Sequence, residues 1–121
     1  MSRPIALVTG GSGRVGPIWK DELYKLGYEV FDFDLPDYDV RNPQDIKSFL
    51  GALSGSPSVL VNNAAIDNPP GSGASFFGNL SQILDVNLVG AVNMSQAVIP
   101  LMIENGGGAI LNIGSIMVNV G

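Results

Sequence analysis

The chain has 121 residues, of which 45% are hydrophobic and 14% charged, so we expect a single domain with a packed core over residues 1–121. Its net charge is −5 and its 6 basic residues are not clustered, which argues against a nucleic-acid partner or an anionic membrane surface. With no cysteine and no histidine, we predict neither disulfides nor a metal site. The amino terminus lacks the apolar core of a signal peptide and no apolar run is long enough to span a membrane, so we expect a cytoplasmic protein.

An apolar run at residues 4–9 leads directly into a glycine-rich segment, Gly10-Gly11-Ser12-Gly13-Arg14-Val15-Gly16. The run is continuous rather than alternating, which predicts a strand buried on both faces. The segment fits both G-x-G-x-x-G and G-x-x-G-x-x-G, and helical spacing of apolar residues follows it. Glycines in such a turn let the backbone reverse and approach a pyrophosphate, which the next helix N-terminus favours. The context predicts a dinucleotide site rather than an ordinary glycine-rich turn; Arg14 either contacts a phosphate or extends into solvent.

The helix predicted for residues 15–26 has Gly27 as its cap, and a second strand is predicted for residues 29–34. Asp34 lies at the end of that strand, eighteen residues after Gly16. An acid at about this distance hydrogen-bonds the ribose hydroxyls of NAD, and it would repel the 2′-phosphate of NADP. We therefore predict NAD as the cofactor in preference to NADP. Asp32, on the same face, is the competing candidate, and a solvated loop acid is the alternative for Asp34.

Only four residues separate Asp34 from Asp39, whereas a parallel crossover needs a dozen residues or more. We therefore expect only a stub of strand at Asp39-Val40. Asn42 is predicted to cap a helix that extends to about residue 53, and residues 59–61 read as a buried strand. Residues 67–79, rich in Asn, Pro, Gly and Ser, are predicted to form a surface loop at the sheet edge where ligands bind.

A long helical segment is predicted for residues 80–103, with apolar residues on more than one side, so we expect it to be buried on more than one side. Pro100 is expected to kink this helix or to end its regular part. Residues 109–113 are predicted to form a further buried strand. Self-association is expected through the second face of the helix or through an open edge of that strand.

Together these segments resemble the short-chain dehydrogenase/reductase family over essentially the whole chain. Thr9 to Gly16 is similar to the family's cofactor loop, in the spacing of its extended branch. Asp39-Val40 is similar to the family's pair that lies against adenine. Asn62-Asn63-Ala64-Ala65 resembles the family's Asn-Asn-Ala-Gly motif, with Ala65 in place of the glycine. Two further motifs carry the resemblance, and they are Asp85-Val86-Asn87-Leu88-Val89-Gly90 and Asn112-Ile113-Gly114-Ser115.

The resemblance implies a doubly wound parallel sheet of Rossmann type, with strand order 2-1-4-5 in the family's labels and a short strand 3. It implies oxidoreduction between carbonyl and hydroxyl on a small molecule, with sugar derivatives among the candidate substrates, and a homo-oligomer. Ser115 would orient the substrate oxygen, and Asn87 would shape its helix and anchor a chain of water molecules. Asn62 and Asn63 would fix the backbone around the cofactor ribose.

One family motif, Tyr-x-x-x-Lys, is missing from these residues. The tyrosines are Tyr24, Tyr28 and Tyr38, and none has a lysine four residues later. The resemblance therefore implies an N-terminal portion of the family's domain, incomplete at its C-terminal end and inactive by itself. The alternative is a dinucleotide-binding or interaction module without catalytic activity.

Overall fold

The computed structural model describes residues 3–10, 16–34, 37–63 and 85–113, with only the backbone described for Asp85 and Val86. Within these residues, four parallel strands form one sheet in the order β2-β1-β3-β4. The strands are β1 (Ile5–Thr9), β2 (Glu29–Phe33), β3 (Pro57–Asn62) and β4 (Ala109–Asn112). The helices are α1 (Gly16–Lys25), α2 (Pro43–Ala52) and α3 (Gly90–Glu104), and a π-helical turn at Asp85–Val89 precedes α3. The predicted doubly wound sheet and its strand order are confirmed, since β3 and β4 correspond to strands 4 and 5 of the family's labels.

The strand β1 is covered on both faces, as its continuous apolar run predicted, whereas β4, which was also predicted to be buried, is mostly exposed in the described part of the chain. Ile5 and Leu7 belong to one core cluster, together with apolar residues of α2 and α3, while Ala6 and Val8 belong to a second one. Leu23 of α1 packs in the second cluster. Successive side chains of a strand point to opposite faces, so this division follows directly from the alternation along β1.

The ends of α1 and α2 follow the signals in the sequence. After α1, Gly27 has φ +98°, a conformation that residues with a Cβ rarely adopt, and its N–H donates to the Tyr24 carbonyl over 3.0 Å. At the start of α2, Asn42 Oδ1 accepts hydrogen bonds from the N–H groups of Gln44 and Asp45. Both capping predictions are confirmed.

Two expectations about the backbone are wrong. Residues 37–42 form turns and not a stub of strand: Asn42 N–H donates to the Asp39 carbonyl over 3.0 Å, and this bond folds the segment on itself instead of along β2. The regular helix does not end at Pro100, because α3 continues to Glu104, while the alternative expectation, a kink at Pro100, stays a prediction. Proline lacks only its own N–H, so the helix loses one bond to the carbonyl four residues earlier and can otherwise continue.

The helix α3 buries one face and exposes another. Met94, Val98 and Met102 are buried against the sheet. The exposed apolar side chains of this segment are Leu88 in the π-helical turn and Val92, Ile99 and Ile103 in α3. Within the described part of this single chain, one side of α3 is buried and another is exposed, and coverage of the exposed side by self-association stays a prediction. Among the described residues, no helix has the length and apolar character needed to cross a membrane.

Candidate dinucleotide site

The backbone reverses directly after β1 at Gly10, the first of the predicted site glycines. Gly10 has φ +63°, in the left-handed region where a Cβ would be strained. Its N–H donates to the carbonyl of Phe33, the last residue of β2, over 3.1 Å. The turn is therefore fixed to the neighbouring strand at the edge where parallel sheets bind ligands.

A second group of contacts fixes the same turn to β3. Asn63 lies immediately after β3, and its Nδ2 donates to the Gly10 carbonyl over 3.1 Å. The Asn63 N–H donates to Thr9 Oγ1 over 2.9 Å, and the Thr9 hydroxyl donates to the Val61 carbonyl over 3.5 Å. Both polar groups of Gly10 are thus hydrogen-bonded to residues at the ends of the neighbouring strands. Thr9 opens the segment that resembles the family's cofactor loop, but it is not among the predicted site residues, and its role in this arrangement is visible only in the structure.

The start of α1 completes the described part of the glycine segment. Gly16 is buried and Pro17 is exposed in the first turn, where a missing N–H costs nothing. The free N–H groups of a helix N-terminus favour an anionic group. The predicted site residues between β1 and α1 that lie outside the described residues are Gly11, Ser12, Gly13, Arg14 and Val15.

The two candidate acids of the second strand have different surroundings. Asp32 Oδ2 forms an ion pair with Lys20 Nζ of α1 at 2.9 Å, with both side chains about one-third exposed. Asp34 follows β2 directly and is half-buried, and its carbonyl accepts a hydrogen bond from the Tyr38 N–H over 2.9 Å. Asp34 is next to Phe33, whose carbonyl holds Gly10, whereas Asp32 is drawn towards α1. Asp34 therefore follows the residue that binds Gly10, while Asp32 is paired with α1; the assignment of Asp34 to the cofactor stays a prediction.

The turn 37–42 carries the predicted adenine pair, Asp39 and Val40. The Asp39 carboxylate accepts hydrogen bonds from Arg41 Nε at 2.9 and 3.1 Å and from Arg41 Nη2 at 2.6 Å. The Arg41 guanidinium lowers the pKa of Asp39 below its ordinary value, against the opposing effect of partial burial. Asp45 of α2 accepts from the Asp39 N–H, and Asn93 Nδ2 of α3 donates to the Val40 carbonyl over 3.1 Å. The turn is thus held by two helices as well as by its own side chains.

Asn62 makes a different set of contacts from Asn63. It is 7% exposed, and its Nδ2 donates to Asn112 Oδ1 at 2.9 Å and to Ser95 Oγ at 3.3 Å. Its Oδ1 accepts no hydrogen bond from the part of the chain that the structure describes. Asn62 therefore joins β3 to β4 and α3, while Asn63 holds the glycine turn. Ala64 and Ala65, the last two residues of the motif, lie outside the described residues.

Of the two predicted catalytic residues, Asn87 lies in the described part. It is exposed in the π-helical turn before α3. Such turns are rare and are frequent at functional sites, a departure from the regular helix predicted there. Ser115 lies outside the described residues, two positions after Ile113, whose N–H donates to the Asn62 carbonyl over 3.2 Å.

Comparison with known proteins agrees with this geometry. The family model described as short chain dehydrogenase matches residues 32–121. The chain belongs to the short-chain dehydrogenase family. An NADP-dependent 3-hydroxy acid dehydrogenase of Escherichia coli is 40% identical over 102 residues, which are 79% of this chain and 41% of the relative. A 3-oxoacyl-[acyl-carrier-protein] reductase of Vibrio cholerae is 28% identical over 138 residues, covering 97% of this chain and 57% of the relative.

Solved structures support membership of the short-chain dehydrogenase family independently. Aldohexose dehydrogenase of Thermoplasma acidophilum, in its ligand-free form, superposes with a TM-score of 0.82 at 32% identity, covering 93% of this chain and 49% of that one. Serine dehydrogenase of Escherichia coli superposes with a TM-score of 0.75 at 29% identity, covering 92% and 62% respectively. The chain spans roughly half the length of the relatives that it matches.

Proposed function

We propose that this chain is the NAD-binding portion of a short-chain dehydrogenase that interconverts a carbonyl and a hydroxyl on a small molecule. The observation that carries the proposal is the left-handed Gly10, held by Phe33 of β2 and by Asn63 after β3. The ends of three adjacent strands meet at Gly10, and the next helix along the chain, α1, begins at Gly16. This is the arrangement in which doubly wound sheets bind a dinucleotide pyrophosphate.

The residues present fit such a cofactor. A Cβ is absent where the backbone takes a left-handed conformation, and the polar groups of Gly10 are already bonded within the protein, so the turn keeps its shape without a ligand. Residues 10–16 would hold the pyrophosphate, Asp34 the ribose hydroxyls, and Asp39 with Val40 the adenine. A nicotinamide cofactor supplies the hydride donor or acceptor, and the protein supplies position and electrostatics.

We propose NAD rather than NADP on the basis of Asp34. A carboxylate that accepts ribose hydroxyls would face the 2′-phosphate of NADP at close range, which costs on the order of 1–4 kcal/mol at a partly exposed site. The nearest cation in the sequence that follows, Arg41, is already engaged by Asp39. The Escherichia coli relative, by contrast, is an NADP-dependent dehydrogenase.

The catalytic part of the proposal concerns Ser115 and Asn87. In the family that this chain resembles, the serine hydrogen-bonds the substrate oxygen, and a tyrosine beside a lysine exchanges the proton. The 121 residues contain no Tyr-x-x-x-Lys. We therefore expect this chain alone to bind cofactor without turning over substrate, as the alternative of a dinucleotide-binding module also requires. Turnover of carbonyl compounds by a version extended to include that motif would favour the dehydrogenase over the module.

Calorimetric titration with NAD and NADP tests the cofactor proposal directly. The unsubstituted chain should bind NAD more tightly than NADP, and Asp34→Ala should reduce the difference by roughly tenfold or more, the equivalent of one close charge contact. Asp37→Ala is the matched control, because Asp37 is exposed in the neighbouring turn. Tighter binding of NADP by the unsubstituted chain, or an unchanged preference in Asp34→Ala, would refute the assignment of Asp34.

A further inference from the structure

The carbonyl of Val40 is held by a side chain from a distant part of the sequence. Asn93 Nδ2, on α3, donates to this carbonyl over 3.1 Å across 53 positions of sequence. Val40 itself is buried, with 7% of its surface exposed. The turn 37–42 is not part of the sheet, so its backbone lacks the regular pairing that orders a strand. The hydrogen bond from Asn93 therefore fixes the backbone of this turn, as hydrogen bonds to a neighbouring strand would in a sheet.

The other described contacts of this turn come from within it, from α2 and from the end of β2. The Asp39 N–H donates to Asp45 Oδ2 over 3.0 Å, and the Arg41 N–H donates to Asp39 Oδ1 over 2.9 Å. The ring of Tyr38 stacks on Phe33, with 5.3 Å between centroids. These contacts shape the turn, whereas Asn93 links it to the helix that packs on the centre of the sheet.

We propose that Asn93 is a positioning residue for the adenosine end of the dinucleotide, acting through Val40 and the turn that carries Asp39. This inference rests on the proposed function, since it assigns the turn to adenine. Asn93 does not itself need to touch the ligand: its amide keeps the turn in the conformation that receives it. When only a fraction of the molecules has the binding conformation, the apparent affinity is the intrinsic affinity multiplied by that fraction. A turn that is ordered a tenth of the time would therefore reduce the affinity about tenfold.

The surroundings of Asn93 indicate that its loss would affect the turn more than the whole fold. Asn93 lines an open groove of about 360 Å³ between α2 and α3, together with Pro43, Ile46, Lys47, Leu50, Gln96 and Ala97. Water that enters this groove can hydrogen-bond the Val40 carbonyl when the amide is removed. A Val40 carbonyl that is hydrogen-bonded to water lowers the stability of the fold only a little, but the water does not hold the turn to α3.

The test compares two ligands that differ only at the purine: NAD, and nicotinamide hypoxanthine dinucleotide, which has a 6-oxo group in place of the 6-amino group. The unsubstituted chain should prefer NAD. Asn93→Ala should bind NAD about tenfold more weakly and lose most of this preference. Asn93→Asp, which places an acceptor against the Val40 carbonyl, should behave the same way. Gln96→Ala, on the same helix and groove, should retain both affinity and preference.

A second measurement needs no ligand. Amide hydrogen exchange at Asp39 and Arg41 should accelerate at least about tenfold in Asn93→Ala, while the urea midpoint of unfolding stays close to that of Gln96→Ala. Unchanged exchange at these amides, or equal weakening of both dinucleotides, would overturn the role of Asn93. If the unsubstituted chain bound neither dinucleotide, the proposed function would fail and the role of Asn93 with it. Normal binding in both the unsubstituted chain and Asn93→Ala would overturn the role of Asn93 alone.

Discussion

Replacing Thr9 by valine removes a single hydroxyl at the point where β1 and β3 end. Thr9 is 1% exposed, and its Oγ1 accepts the Asn63 N–H at 2.9 Å. Valine has nearly the same volume, so no cavity forms, but the partly buried N–H loses its acceptor. Such a loss costs about 1–3 kcal/mol. The donation from the same hydroxyl to Val61 spans 3.5 Å, at the limit of hydrogen-bond geometry, and adds little.

Urea unfolding and calorimetric titration with NAD would measure the two consequences. Thr9→Val should lower the free energy of unfolding by about 1–3 kcal/mol and weaken NAD binding by roughly tenfold, because Asn63 no longer holds Gly10 in place. Thr9→Ser is the matched control: it keeps the hydroxyl and loses only a buried methyl group, at about 1 kcal/mol. If Thr9→Ser weakened NAD binding as much as Thr9→Val did, or if Thr9→Val bound NAD normally, the hydroxyl would not organise the site.

Three further outcomes are expected. Gly108→Ala should lower the free energy of unfolding in urea by about 1–3 kcal/mol, because its Cβ would lie 2.6 Å from Met102 Sδ and 2.9 Å from the Ser58 carbonyl. A Cβ at Gly51 would have nothing within 4 Å, so Gly51→Ala should stabilise α2. Equal effects of the two substitutions would contradict this prediction. Arg41 lowers the pKa of Asp39 below its ordinary value of 3.8. The stability that this ion pair contributes is therefore fully present at pH values above 3.8, and it is lost as the pH falls through the lowered pKa. Arg41→Gln should therefore cost up to about 1 kcal/mol at neutral pH, a difference that acid removes; a cost that persists in acid would rule out this linkage. Finally, the exposed apolar side of α3 should cause self-association, and Ile99→Glu should abolish it; a clean monomer of the unsubstituted chain in sedimentation would count against this.

The sheet could be predicted because each of its signals is local. A continuous apolar run specifies a strand covered on both faces, and Gly27 and Asn42 mark helix ends through backbone chemistry that needs no distant partner. The strand order followed from the resemblance to a known family, not from the residues alone.

The residues that the sequence did not reveal act across long separations. The contacts of Thr9 with Asn63 and of Asn93 with Val40 join positions more than fifty apart, and no local pattern signals which polar side chain will reach which carbonyl. The expected stub at Asp39-Val40 was wrong for a related reason. Hydrogen bonds to Asp45 and Asn93 compete with pairing along β2, and strand propensity does not include them.

Binding of a nicotinamide dinucleotide at the glycine turn after β1 can be tested with a matched pair of glycine substitutions. Gly10 and Gly27 both have positive φ, at +63° and +98°, so alanine strains the backbone at either position by about 1–2 kcal/mol. Only Gly10 lies at the proposed site. In calorimetric titration, the unsubstituted chain and Gly27→Ala should bind NAD alike, while Gly10→Ala should bind it at least about tenfold more weakly. Absence of both NAD and NADP binding by the unsubstituted chain, or equal affinities for Gly10→Ala and Gly27→Ala, would contradict the account.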